Sequence, residues 1–195
     1  MVIESEGICA TDNCYFGIYV ACAGDVNGDG YGDLLVGANE PNGAFIFLGG
    51  EAGVPLVPDT ILSSTGTSGL SVAAAGDVNG DGFSDVIVGG STNNEKAWVY
   101  LGGEGGIDPE PAFTLWGQGG LFGNSVTGAR DVNGDGFDDV LVGSPGAALV
   151  HLFLGGEAGV DTLNPILVVG PADAGFGQVV AGVWIPLAPV LGSTL

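Results

Sequence analysis

The sequence predicts an all-β fold, and three observations lead to it. Short apolar runs of strand length alternate with glycine, proline and Asx turns along the chain, and no stretch carries a helical period of any length. Two independent sequence markers recur at a period of about 53 residues. Each period holds four such runs, the content of one blade of a β-propeller. The expected architecture is a propeller of four-stranded blades: three full blades at 16–64, 68–117 and 122–170, with partial blades at both ends. A β-solenoid is the competing architecture, but its coils are usually shorter than this period.

The first marker is Ala23-Gly24-Asp25-Val26-Asn27-Gly28-Asp29-Gly30, which returns at Ala75 to Gly82 and, with Arg130 in place of the glycine, at Ala129 to Gly136. The second is Leu48-Gly49-Gly50-Glu51, repeated from Leu101 and from Leu154. The first strand of each blade is rich in small residues: Ile18 to Ala23, Leu70 to Ala75 and Asn124 to Ala129. Innermost strands crowd round a propeller axis, where bulky side chains collide. The second strand is an unbroken apolar run, Leu34 to Val36, Val86 to Val88 and Val140 to Val142, as expected of a strand covered on both faces. The third strand falls at Ala44 to Leu48, Ala97 to Leu101 and Val150 to Leu154, and the fourth at Thr60 to Ser63, Ala112 to Trp116 and Ile166 to Val169.

At the chain ends the register is partial. Val2 to Glu6 aligns with the fourth strand of a preceding blade, and Phe176 to Val180 begins a fourth blade over 176–195. There the pattern fails, because Ile185 stands where the first loop aspartate belongs. The chain therefore reads as a slice of a larger ring or as a ring with a degenerate last blade. An incomplete ring is expected to self-associate through its open edges and faces.

Composition narrows the function. The formal net charge is −21, and Lys96 and Arg130 are the only lysine and arginine, which excludes a phosphate-neutralising nucleic-acid surface. No apolar run approaches the roughly 18 residues that a membrane span needs, so no membrane insertion is expected. Met1 to Gly7 carries Glu4 and Glu6 without a basic flank and is not a secretion signal; a signal for export would lie outside this chain. Cys9 and Cys14 flank a short polar segment, and the sequence leaves open whether they pair. Cys22 aligns with Ala74 and Gly128 and reads as a small buried residue.

The acids are not spread evenly: nine of the 23 fall in three loops, which points to cation binding rather than mere solubility. In the first loop Asp25, Asn27, Asp29 and Asp33 place side-chain oxygens at positions 1, 3, 5 and 9, and Tyr31 offers a backbone carbonyl at position 7. The second loop repeats the set as Asp77, Asn79, Asp81, Phe83 (carbonyl) and Asp85, and the third as Asp131, Asn133, Asp135, Phe137 (carbonyl) and Asp139. Three carboxylates crowded within a few ångströms repel unless an ion lies between them. Hard oxygen donors of this number suit Ca²⁺, one ion in each of three sites, and Mg²⁺ would demand stricter octahedral geometry. An EF-hand loop begins similarly, but it needs a bidentate acid at position 12 entering a helix. Here that position is Val36, Val88 and Val142, each in a strand, so the ninth aspartate is expected to close the site instead.

These loops, the Phe16-Gly17 and Phe122-Gly123 dipeptides and the following Val36-Gly37-Ala38, Val88-Gly89-Gly90 and Val142-Gly143-Ser144-Pro145 segments resemble the FG-GAP repeats of integrin α-subunit propellers. The second repeat weakens the dipeptide to Ser68-Gly69. The resemblance implies a propeller, often seven-bladed, with calcium in the loop between the first two strands of a blade. It also implies an extracellular or cell-surface module that presents loops to a protein or glycan ligand. The alternative is a non-catalytic accessory portion of a larger secreted enzyme. The chain itself is not expected to be an enzyme: His151 is its single histidine and sits mid-strand among apolar residues, and no nucleophile motif is present. Asp138 with Asp139 is a formal acid pair, but the loop already accounts for Asp139. Trp98, Tyr100, Trp116 and Phe153 are candidates for stacking on sugars, although packing between blades is the favoured role for them.

Overall fold

A computed structural model describes residues 15–38, 43–62, 71–90, 95–117, 119–171 and 175–182. Val2 to Glu6, Cys9, Cys14, Ser68-Gly69 and Ile185 lie outside the described residues.

Twelve strands form three antiparallel four-stranded sheets, each in sequence order. The first sheet holds β1 (Tyr19–Gly24), β2 (Asp33–Gly37), β3 (Ala44–Phe47) and β4 (Thr60–Leu62). The second holds β5 (Ser71–Gly76), β6 (Asp85–Gly90), β7 (Lys96–Tyr100) and β8 (Phe113–Trp116). The third holds β9 (Ser125–Arg130), β10 (Asp139–Ser144), β11 (Leu149–Phe153) and β12 (Ile166–Val169). The only helical element among the described residues is a 3₁₀ turn at Pro145–Ala147. Meanders of this kind, stacked face to face through β1, β5 and β9, are propeller blades, and among the described residues they form an arc that does not close into a ring.

Burial follows the sequence pattern. The central strand β6 is buried at every residue, and β2 and β10 at all but one each. Between the first two blades, Leu35, Ala44, Ile46 and Leu62 meet Val72, Val86, Val88, Trp98 and Tyr100. Between the second and third, Ile87, Ala97, Val99 and Leu115 meet Phe122, Val126, Val140, Val142 and Phe153. Crowding near the axis is concrete at Gly128, where a Cβ would lie 2.7 Å from the carbonyl oxygen of Ala75. A third cluster of Val36, Ala38, Phe45 and Phe47 covers the leading face of the first blade, with Phe16 edge-on to Phe45 at 5.4 Å.

The Phe-Gly dipeptides thereby acquire a physical role. The phenylalanine covers the aromatic core of its own blade, and the glycine N–H bonds the end of the second strand: Gly17 to the carbonyl of Gly37 at 3.0 Å and Gly123 to that of Gly143 at 3.1 Å. Phe122 is fully buried, edge-on to His151 at 4.9 Å.

Two features depart from a uniform repeat. Cys22, expected to be buried by analogy with Ala74 and Gly128, is exposed. Its equivalents face the preceding blade, and no blade among the described residues precedes β1. At the other end, β12 is exposed at all four residues, whereas its equivalents Leu62 and Leu115 are buried in blades with a successor. Residues 175–182 run beside β9: the Val180 N–H bonds Ser125 Oγ at 3.0 Å, as the Val126 N–H bonds Ser71 Oγ at 3.0 Å one blade earlier.

Candidate metal centre

Each candidate loop joins the first strand of a blade to the second. The strands meet at Gly24 and Asp33, Gly76 and Asp85, and Arg130 and Asp139, each beside a register irregularity. Within the first loop, Asp25 Oδ1 accepts the N–H groups of Gly28 (2.8 Å) and Asp29 (3.1 Å), and Oδ2 accepts that of Gly30 (2.9 Å). Asn27 Oδ1 accepts the Asp29 N–H at 3.1 Å, and its amide donates to Asp29 Oδ2 at 3.0 Å. Asp29 Oδ1 accepts the Tyr31 N–H at 2.9 Å. The backbone is thus wound round the first aspartate, which gathers the side chains of positions 1, 3 and 5. The same bonds recur round Asp77 and Asp131, from Gly80, Asp81 and Gly82 and from Gly134, Asp135 and Gly136. Those donors, that of Gly136 foremost, hold the Asp131 carboxyl below its ordinary pKa.

The ninth aspartate is turned the other way. Asp33 is buried, with Oδ2 accepting the Val26 N–H and Oδ1 the Gly49 N–H, both at 2.7 Å. Asp85 takes the N–H groups of Val78 (2.8 Å) and Gly102 (2.9 Å), and Asp139 those of Val132 and Gly155 (each 2.8 Å). Burial raises the pKa of all three, Asp85 to about 7. This aspartate ties the loop to the Leu-Gly-Gly turn after the third strand, a role not anticipated from the sequence. The signal was present: that turn keeps a nearly constant distance from the ninth aspartate in every repeat.

The donors therefore divide into a half-buried aspartate at position 1, a half-buried or exposed asparagine at position 3 and an exposed aspartate at position 5, against a buried carboxylate at position 9. Among the described residues, no three acidic, histidine or cysteine side chains are gathered as one metal-ligating group. The chemistry of the set still fits a hard cation. Apart from Oδ1 of the first aspartate, which accepts two N–H groups, each carboxylate oxygen of the first loop accepts one hydrogen bond and keeps a second lone pair, and the loop adds the Asn27 amide oxygen and the Tyr31 carbonyl.

Residues of the following blade complete the surroundings of the first two loops. The Ser84 N–H bonds the Asp25 carbonyl at 3.0 Å, the Gly103 N–H bonds the Val26 carbonyl at 2.9 Å, and the Phe83 ring lies against Gly28. One blade on, Asp138 and Gly156 bond the carbonyls of Asp77 (2.9 Å) and Val78 (3.0 Å), and Phe137 lies against Gly80. No described residue does this for the third loop; Val132 is 52 % exposed, whereas Val26 and Val78 are at 0 %.

The other candidates are dispersed. Trp98, Tyr100 and Phe153 are buried between blades, and only Trp116 is exposed, with Lys96 Nζ 4.1 Å from its ring centre. His151 is buried among Phe122 and Phe153, and among the described residues its Nδ1 meets no hydrogen-bond partner of good geometry. Burial lowers its pKa.

Comparison with known proteins agrees with this architecture. Residues 25–88 match the FG-GAP-like repeat and residues 122–160 the FG-GAP repeat. Integrin alpha-5 of Xenopus laevis is 32 % identical over 165 residues, 72 % of this chain and 16 % of the relative. Integrin alpha-IIb of Mus musculus is 35 % identical over 162 residues, 71 % of this chain and 16 % of the relative. Integrin alpha-3 of Cricetulus griseus is 35 % identical over 176 residues, 81 % of this chain and 16 % of the relative. The chain thus spans about a sixth of the length of these curated relatives. Three repeated loops, three meander blades and these matches place the chain in one family: it belongs to the FG-GAP repeat proteins and is similar to the integrin alpha subunits.

Proposed function

We propose that the chain is a calcium-stabilised propeller segment of an extracellular, non-catalytic adhesion module that binds a protein or glycan ligand. Its units are the blades at 16–64, 68–117 and 122–170. One Ca²⁺ is held per loop: by Asp25, Asn27, Asp29, the Tyr31 carbonyl and Asp33; by Asp77, Asn79, Asp81, the Phe83 carbonyl and Asp85; and by Asp131, Asn133, Asp135, the Phe137 carbonyl and Asp139. The observation that carries this reading is the recurrence of one oxygen spacing and one internal hydrogen-bond wrap in all three loops. An acidic solvated turn has no reason to repeat both. In this reading the ion is structural, bridging carboxylates that otherwise repel. His151 supports a non-catalytic role, because it is buried in an aromatic cluster away from the loops.

The test is calorimetric titration of the full chain with Ca²⁺, together with melting curves in calcium and in chelator. Saturable binding with a higher melting temperature in calcium is expected. No binding heat and unchanged melting would overturn the calcium reading. A protein and glycan array probed in calcium and then in chelator tests the adhesion reading separately.

A further inference from the structure

We propose that Ser84 and Asp138 are positioning residues for the cation of the preceding blade, so that cation binding at the first two loops is coupled to docking of the next blade. The inference rests on the calcium reading above and adds to it a direction along the chain.

Four contacts made twice carry it. Ser84 contacts the peptide of Asp25 from both sides, donating its N–H to the carbonyl and accepting the Asp25 N–H on Oγ at 3.2 Å. Asp138 repeats this one blade later, donating its N–H to the Asp77 carbonyl and accepting the Asp77 N–H on Oδ2 at 3.0 Å. The glycine before each loop lies directly under the latch residue: a Cβ on Gly24 would collide with the Ser84 side chain, and one on Gly76 with that of Asp138. The second glycine of the Leu-Gly-Gly turn, Gly103 or Gly156, holds the next carbonyl, and Phe83 or Phe137 covers the loop glycine.

The first aspartate is therefore held at its backbone by the following blade and at its carboxylate by its own loop. A cation that draws on that carboxylate fixes the peptide that the next blade grips. By reciprocity, whatever docking adds to cation affinity, the cation adds to docking.

Among the described residues, the third loop shows the same motif without a latch. Arg130 occupies the glycine position with φ 63° and is exposed. A long side chain fits there because no described residue presses on it as Ser84 presses on Gly24. Gly134 has open space where Gly28 and Gly80 meet an aromatic ring.

The experiment is amide hydrogen exchange on the full chain with and without Ca²⁺, alongside calorimetry. Ca²⁺ is expected to slow exchange of the Ser84, Gly103, Asp138 and Gly156 amides by on the order of tenfold. Asp29→Ala is expected to abolish the effect at Ser84 and Gly103 and to spare Asp138 and Gly156; Asp135→Ala is expected to change none of the four. Ser84→Ala is expected to weaken one of the three sites about fivefold. If Ca²⁺ binds by calorimetry but leaves the four amides of the wild-type chain unaffected, the coupling is overturned and the calcium reading stands. If no binding is detected, both fall. Should Asp29→Ala not fold, the wild-type comparison alone still decides.

Discussion

The loops at 77–85 and 131–139 carry the same side-chain oxygens and close the same internal hydrogen bonds, yet one lies inside an interface and the other on a surface. Val78 is fully buried and Val132 is half exposed. Gly76 is pressed by Asp138, whereas Arg130 at the same position is unconstrained. The difference shows that the nine-residue motif folds its own turn locally, and that its burial is a property of the neighbour. Equal letters in a repeat do not mean equal energetics.

Removing the ions should have the largest effect. On the proposed calcium reading, at about 1 mM Ca²⁺ and a dissociation constant of about 0.1 mM, each site would stabilise the fold by about 1.4 kcal/mol. Three sites contribute on the order of 4 kcal/mol, so chelation should lower the melting temperature by roughly 10 °C. Hydrogen exchange in chelator should show whether the loss reaches the third loop as strongly as the first two.

Gly76→Ala forces a left-handed residue against Asp138 and should destabilise by about 3 kcal/mol. Arg130→Gly relieves a left-handed residue and should stabilise by about 0.5 kcal/mol. Denaturant titration of the pair measures both, and equal effects of the same sign would abolish the contrast. Val78→Ala removes buried methyl groups and should cost about 2 kcal/mol, against about 0.5 kcal/mol or less for Val132→Ala.

The smallest effect is on pH. Burial lowers the pKa of His151, so the unfolded chain binds the extra proton first on acidification. The stability this residue contributes is present above its unfolded value of about 6.5 and is lost as pH falls through the folded one. His151→Phe, matching Phe45 at the same position two repeats earlier, should flatten that part of the stability profile.

The periodic part of the structure was legible. Unbroken apolar runs marked β2, β6 and β10, and small residues marked the axial strands, because every blade of a stack meets the same packing and the pattern recurs with the repeat. What the sequence hid depended on contacts between segments. Asp33 reads only as a loop ligand, and its second role, accepting the N–H of Gly49 sixteen residues away, shows only in the fold. Cys22 reads as buried only if every blade has a predecessor. The latch residues were invisible to repeat comparison because the eighth loop position varies as Gly32, Ser84 and Asp138, and because two of its bonds use backbone groups.

The bare strand β12 has a colloidal consequence. Ile166, Leu167, Val168 and Val169 offer an unpaired, oily margin. Mutual repulsion of molecules carrying a formal charge of −21 opposes the approach of two such margins. Added salt shortens the reach of that repulsion to about 10 Å at 0.1 M. Raising the ionic strength should therefore let such margins approach more closely, and light scattering against salt measures it.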